Sequence, residues 1–271
     1  MKTISNFSSI IVLVTLTLGG VFGHTFLNNL IIDSKDVSNG KCIRPVTGLK
    51  TMYVGDTSSV NMRCRPGNQS PSATDICPVK AGSEIGVEWH HSSKTPTDRI
   101  ISQSHRGPCL IYMARMDQPI DGNVWFKVYE EAYDESTKEW CTDKIRRNKG
   151  VLKFTIPADI ESGDYLLRTE IIALHGAQRR GYAQFFPNCA QVSVTDGGSA
   201  KPKGYKIPGI YKADDPGIFV NYRKVNVNYV IPGPPVYVPG NNGTVKSVLS
   251  SSSSRMADDT LSYTETFNIN D

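Results

Sequence analysis

Cys109-Leu110-Ile111-Tyr112-Met113 is a continuous apolar run entered directly from Gly107-Pro108, and it reads as a buried strand. Similar runs lie on both sides of it. Ile85-Gly86-Val87-Glu88-Trp89 alternates, and residues 124–129, 151–156, 165–174 and 190–194 continue the series. No convincing amphipathic helix separates them. Residues 157–160 and 142–148 are each read as a short helical turn, too brief to change the class. Strands at short spacing with turn residues between them predict an all-β chain folded as an antiparallel β-sandwich. Its loops are long: residues 30–83 and 195–242 are irregular and rich in Gly, Pro, Asn and Ser. Loops of that length carry function or are pinned, and six cysteines are available as pins.

The 271 residues are 39% hydrophobic, enough for a real core and against disorder throughout. A formal net charge of +4, from 30 basic and 26 acidic residues, is too slight and too mixed to make nucleic acid the main partner. At the N-terminus, Lys2, the apolar stretch of residues 10–18 and the small-residue end Gly19-Gly20-Val21-Phe22-Gly23 form a secretory signal pattern. The apolar stretch is short for a bilayer span of about 20 residues. No later segment is apolar enough to span, and the polar last residues lack a lipid-anchor signal, so no membrane association is expected. Val21 and Gly23 fit a cut after Gly23. Three segments follow: a signal peptide over residues 1–23, one domain over 24–244, and a Ser-rich disordered tail over 245–271. The mature protein is expected to be secreted and extracellular, where six cysteines default to three disulfides with fifteen connectivities open.

Cleavage after Gly23 makes His24 the first residue, whose free amine and imidazole can reach the same metal ion. The other histidines are His90, His91, His105 and His175. No Cys-x-x-Cys pair, His-Glu-x-x-His helix, EF-hand loop or Gly-x-Ser-x-Gly elbow is present. A paired-carboxylate glycosidase has no local signature. His105, in Ser104-His105-Arg106-Gly107-Pro108, stands at the mouth of the Cys109 run, either as a ligand on a rigid strand or as a solvated loop residue. His175 ends the run of residues 166–175, either as a functional group or as a strand-end residue satisfied by backbone. His90 and His91 carry no usable spacing.

His24 after the signal peptide, Ser104 to Pro108, Leu167-Arg168-Thr169-Glu170-Ile171-Ile172-Ala173-Leu174-His175-Gly176-Ala177, Ala183-Gln184-Phe185-Phe186-Pro187-Asn188-Cys189-Ala190-Gln191 and Ile231-Pro232-Gly233-Pro234-Pro235 occur in order. Together they resemble the fungal lytic polysaccharide monooxygenases of auxiliary activity family nine, from His24 to about Gly240. The resemblance implies an immunoglobulin-like or fibronectin-like β-sandwich carrying one copper ion. It gives His24 three roles in one residue: first residue, amine ligand and ring ligand. His105 supplies the third nitrogen, a set suited to copper. His175 and Gln184 match the pair that hydrogen-bonds the oxygen species. The family's axial tyrosine falls on Phe186, which removes a phenolic oxygen and raises a second reading, a secreted copper-binding or cell-wall-binding protein with little turnover.

The same resemblance implies the disulfides Cys64–Cys189, Cys42–Cys77 and Cys109–Cys141. It implies a flat face on which Tyr211 and Tyr237 stack on glucose rings of cellulose or a related β-glucan, cleaved at C1 or C4 with an external electron donor. The chain is read as a monomer. Asn68-Gln69-Ser70 and Asn242-Gly243-Thr244 are candidate N-glycosylation sites.

Overall fold

Successive side chains leave opposite faces of a strand, so the faces on which a strand's neighbours sit decide which of its residues must be apolar. The computed structural model describes residues 25–37, 40–46, 52–65, 75–92, 94–224 and 229–240. The expected signal segment and tail, His24, Asn68 and Asn242 lie outside the described residues. In chain order the strands are β1 Phe26–Ile32, β2 Lys35–Val37, β3 Cys77–Lys80, β4 Glu84–His90, β5 Cys109–Arg115 and β6 Asn123–Glu131. There follow β7 Tyr133–Asp134, β8 Glu139–Trp140, the helix α1 Cys141–Arg147, β9 Val151–Thr155, β10 Gly163–Ala173, β11 Gln184–Thr195 and β12 Tyr205–Lys206. A 3₁₀ turn occupies Val60–Met62.

Strands β2-β1-β4-β9 make one sheet and β12-β6-β5-β10-β11-β3 the other; among these described strand pairs β11–β3 is parallel and the rest are antiparallel. Leu30, Val87, Trp89 and Phe154 of the first sheet meet Ile111, Met113, Leu167 and Ile171 of the second in the sandwich core. The larger sheet is apolar on its outer face too. There Leu110, Trp125, Leu166, Ile172 and Phe185 pack under Ile207, Tyr211 and Ile218 from the irregular chain after β11. Burial on both faces explains why the Cys109 run shows no alternation.

Two expectations change. Residues 30–83 are not all loop, since they contain the end of β1 together with β2 and β3. Residues 157–160 form no helical turn: Ile160 is buried in the core and bridges Ala200 in parallel, which holds the backbone extended. Residues 141–147 are helical, with Asp143 accepting the Trp140 N–H at 3.0 Å. The cysteines pair as Cys42–Cys77, Cys64–Cys189 and Cys109–Cys141, leaving none free. The second bridge ties the segment after the 3₁₀ turn to β11. The third ties the start of β5 to the start of α1.

The outer cluster also holds charge. Arg168 and Glu170 of β10 are fully buried and bond through both guanidinium Nη atoms, at 2.6 and 2.9 Å. Arg168 also donates to the Met62 and Arg63 carbonyls at 2.8–3.0 Å, and Tyr211 donates to Glu170 at 2.6 Å. Removing one partner of such a pair strands the other charge in an apolar layer. Glu170→Ala is expected to cost about 3–5 kcal/mol in urea unfolding followed by tryptophan fluorescence, whereas Lys80→Ala, in an ion pair exposed on both sides, should leave the transition unchanged.

Candidate metal centre

The β5–β10 ladder pairs Tyr165 with Arg115 and, at its other end, Ile171 with Cys109. Beyond the last ladder pair the same register continues, with the Ile172 N–H on the Pro108 carbonyl at 3.1 Å and the Leu174 N–H on the Arg106 carbonyl at 2.9 Å. One step further, His175 faces His105. Their rings stack, with centroids 4.4 Å apart and planes 24° from parallel. The β10–β11 ladder pairs Ala173 with Gln184 and Ile171 with Phe186. Because His175, Ala173 and Ile171 share one face of the sheet, Gln184 and Phe186 belong to that face as well. The Phe186 ring lies 5.9 Å from that of His105. Sequence positions 105, 175, 184 and 186 are thus one cluster.

Several contacts hold the His105 segment. The His105 N–H donates to Ser102 O at 3.0 Å, its Nδ1 is 3.1 Å from the Ser104 hydroxyl, and the Gly107 N–H donates to Thr142 Oγ1 at 3.1 Å. A Cβ on Gly107 would stand 1.8 Å from the Ile172 carbonyl oxygen, so only glycine permits this approach. His105 is buried, while His175 and Gln184 are partly exposed. Burial holds the His175 imidazole below the ordinary histidine range, and its Nδ1 has no hydrogen-bond partner among the described residues.

Thr25 is carried to the same place. Its hydroxyl donates to Ile100 O at 2.9 Å and lies 3.4 Å from His90 O, while its carbonyl accepts from Arg65 Nη2 at 3.0 Å. The buried Arg65 guanidinium lies over the Phe186 ring, 5.3 Å from its centroid. Burial pushes it down to about 9, which leaves it a cation at neutral pH. His90 contributes no site chemistry. Its two ring nitrogens meet Asp98 at 2.8 Å and Glu88 at 3.1 Å, bracing the loop that carries Ile100.

Tyr211 and Tyr237 are not on this face. Tyr211 is 4% exposed, its ring stacks on Phe185, and its hydroxyl is used by Glu170 and Tyr112. Tyr237 packs edge-on against Phe126 and donates to Asp159, just before β10 begins. His175 follows the other end of that strand, about 33 Å away at 3.3 Å per residue. The exposed aromatics beside the histidines are Tyr53, edge-on to Phe186 at 6.4 Å, and Tyr182. Tyr182 lies against Gly176 and under the Arg179 guanidinium, 4.1 Å from the ring centroid. Tyr53, Tyr182 and Arg65 carry no distinguishing sequence signal.

A buried imidazole, His105, stacked on a second imidazole beside an apolar ring is a fit for copper, which favours imidazole donors. Among the described residues no group of three His, Cys, Asp or Glu side chains can hold a metal, so a further donor must come from elsewhere. Residues 24–229 match the model of Auxiliary Activity family 9, formerly GH61. The chain belongs to this family. The AA9 family lytic polysaccharide monooxygenase A of Aspergillus clavatus is 44% identical over 183 residues, 67% of this chain and 51% of its own length. That of Aspergillus niger is 44% identical over 192 residues, 70% and 46% of the two chains. The chain therefore spans about half the length of these curated relatives. The solved structure of CvAA9A superposes with a TM-score of 0.73 at 32% identity, covering 79% of this chain and 98% of that one. The extended catalytic domain of H. jecorina LPMO9A gives 0.67 at 26% identity, covering 82% and 94%.

Two outcomes are expected. Tyr211→Phe removes a hydrogen bond to a buried carboxylate and should lower unfolding free energy, read in urea titration, by about 1.5–3 kcal/mol. The Asp98 carboxyl, raised by burial but lowered more by N–H donors from His91, His90 and Ser92, titrates below its ordinary range. Its contribution is complete above the unfolded value near 4 and lost as pH falls through the depressed folded value. A melting series from pH 7 to pH 2 should fall less steeply in Asp98→Asn.

Proposed function

We propose that this chain is a secreted, copper-dependent lytic polysaccharide monooxygenase that begins at His24 and oxidatively cleaves a β-1,4-glucan, cellulose or a close relative, at C1 or C4. The observation that carries the reading is the stacked His105–His175 pair on one face with Gln184 and Phe186, beside the anchored Thr25, in a chain of Auxiliary Activity family 9. His105 would give a ring nitrogen and His24 its amine and ring, one copper ion per chain. The family match beginning at residue 24 supports that start. No helix of the described residues is long and apolar enough to cross a membrane.

Copper, when bound, supplies one-electron chemistry toward dioxygen or hydrogen peroxide, with electrons from an external donor. The protein's residues orient and protect. His175, whose Nδ1 has no hydrogen-bond partner among the described residues, stacks on His105, and Gln184, with an amide that both donates and accepts, lies on the same sheet face; they can hold a proton or a hydrogen bond on the oxidant. Phe186 closes the inner side with a ring that offers no ligand. The open side carries Tyr53 and Tyr182, the second stiffened by Arg179, as flat apolar supports for sugar rings in place of Tyr211 and Tyr237. An extended glucan laid on them brings its C–H bonds to the histidines; one C–H beside the glycosidic oxygen becomes C–OH, the oxidant's other oxygen atom leaves as water with electrons from the external donor, and the hydroxylated carbon then expels the glycosidic oxygen as an alcohol. Turnover is favoured over a silent copper-binding role by the membership in Auxiliary Activity family 9 and by the stacked histidines lying on the same sheet face as Gln184.

Copper-loaded protein, incubated with cellulose, a reductant and dioxygen, is expected to release oxidised oligosaccharides visible by mass spectrometry, with yield reduced at least tenfold in His105→Ala. N-terminal sequencing of secreted protein should begin at His24. Absence of oxidised products from several β-glucans would refute the enzyme.

A further inference from the structure

Arg65 has a backbone φ of +65°. A long side chain in this left-handed region is uncommon, and glycine or asparagine would occupy it at less cost. The strain is held in place from several sides. Cys64 is bridged to Cys189 on β11, the Arg65 N–H donates to Asn61 O at 2.9 Å, and the buried Arg168 guanidinium takes the Met62 and Arg63 carbonyls. From this fixed backbone the side chain does two things at once. Its Nη2 donates to Thr25 O at 3.0 Å, and its guanidinium carbon lies over Phe186, whose ring is 5.9 Å from that of His105.

We infer that Arg65 and Phe186 form a clamp that positions the start of the mature chain against His105, with Arg65 as a positioning residue of the copper site. The inference rests on the copper reading above. Phe186 stands where the family resemblance expects a tyrosine, and its ring face receives a guanidinium. The arrangement uses properties that only arginine combines: a planar cation that can stack on a ring and still direct an in-plane N–H at a carbonyl. Thr25 is thereby fixed at both its carbonyl and, through Ile100, its hydroxyl. One residue upstream is His24, whose amine and ring must meet His105 around a single ion. A loose Thr25 would let those two donors sample many geometries, and metal affinity would fall although no ligand had changed.

Arg65→Lys keeps the charge and loses the guanidinium that covers the Phe186 ring while donating to Thr25. Copper(II) affinity by competition titration is expected to fall at least tenfold in this variant, and the electron paramagnetic resonance spectrum is expected to show one species in the wild type and a mixture in the variant. In the metal-free protein, amide hydrogen exchange at residues 26–28 should speed up severalfold while the melting temperature moves by a few degrees at most. Unchanged affinity, spectrum and exchange overturn the clamp. So does a large drop in melting temperature with undiminished copper affinity in the folded fraction, because that marks a purely structural arginine. Should Arg65→Lys fail to fold, Phe186→Leu decides: it keeps the cation and removes the ring face, and a loss of affinity of at least threefold is expected, with no loss overturning the proposal. Failure of the wild type to take up copper overturns the copper reading and with it the positioning role of Arg65, whereas the exchange measurement reports on the clamp separately.

Discussion

A buried ion pair on the outer face of β10 organises the loops of this protein. Arg168 and Glu170 point into an apolar layer, where an isolated charge is too costly to keep. The two side chains neutralise each other, yet each retains hydrogen-bonding capacity that only the loops can satisfy. Arg168 takes the carbonyls of Met62 and Arg63, and Glu170 takes the Tyr211 hydroxyl. Lys127, also buried, is met by Glu130 and the Pro232 carbonyl. Long proline-rich segments with few regular hydrogen bonds are thereby fixed from beneath, by polar groups projecting from a rigid sheet. The pair gives little net stability compared with an apolar substitute. Its effect is on which loop conformation is allowed.

The candidate site inherits its geometry from that sheet. Its residues come from the segment before β5, the segment after β10 and the start of β11, all at one end of three neighbouring strands. Two ladders without a break in register carry His105 to His175 and Gln184 to Ala173. A slip of one residue would turn His175 to the other face and dissolve the cluster. Gly107 matters for the same reason, since a side chain there would collide with the β10 backbone at the step beside His105.

Much of the sandwich was legible in the sequence because the central strands are apolar on both faces. Strand β1 was not, and its chemistry explains why. Asn28 and Asn29 interrupt its apolar pattern, Asn29 is buried only because its amide bonds Glu88 at 2.9 Å, and a bulge between Leu27 and Asn29 shifts the alternation out of phase. Strand β3 includes Pro78 at a sheet edge, where proline is tolerated but gives no strand signal. Ile207, Tyr211 and Ile218 are core residues scattered among prolines and glycines without a period, so the segment after β11 reads as free loop. The resemblance puts Tyr211 on a flat sugar-binding face, and no local pattern argues against it, because its burial rests on the carboxylate of Glu170 beneath it. The histidines were found by motif, whereas their stacking follows from register, which no local pattern contains.

The departure at Phe186 has a physical counterpart at Arg65, a residue that motif reading passed over. A tyrosine in a buried position needs a partner for its hydroxyl. Phenylalanine needs none, and one face of its ring lies against a cation that also grips the Thr25 carbonyl. The two residues are 121 positions apart, and the Cys64–Cys189 bridge, one residue before Arg65 and three after Phe186, brings their backbones together. The disulfide, the strained arginine and the aromatic ring it covers are therefore one local solution. Its consequence reaches the site because the carbonyl it holds belongs to the residue that follows His24.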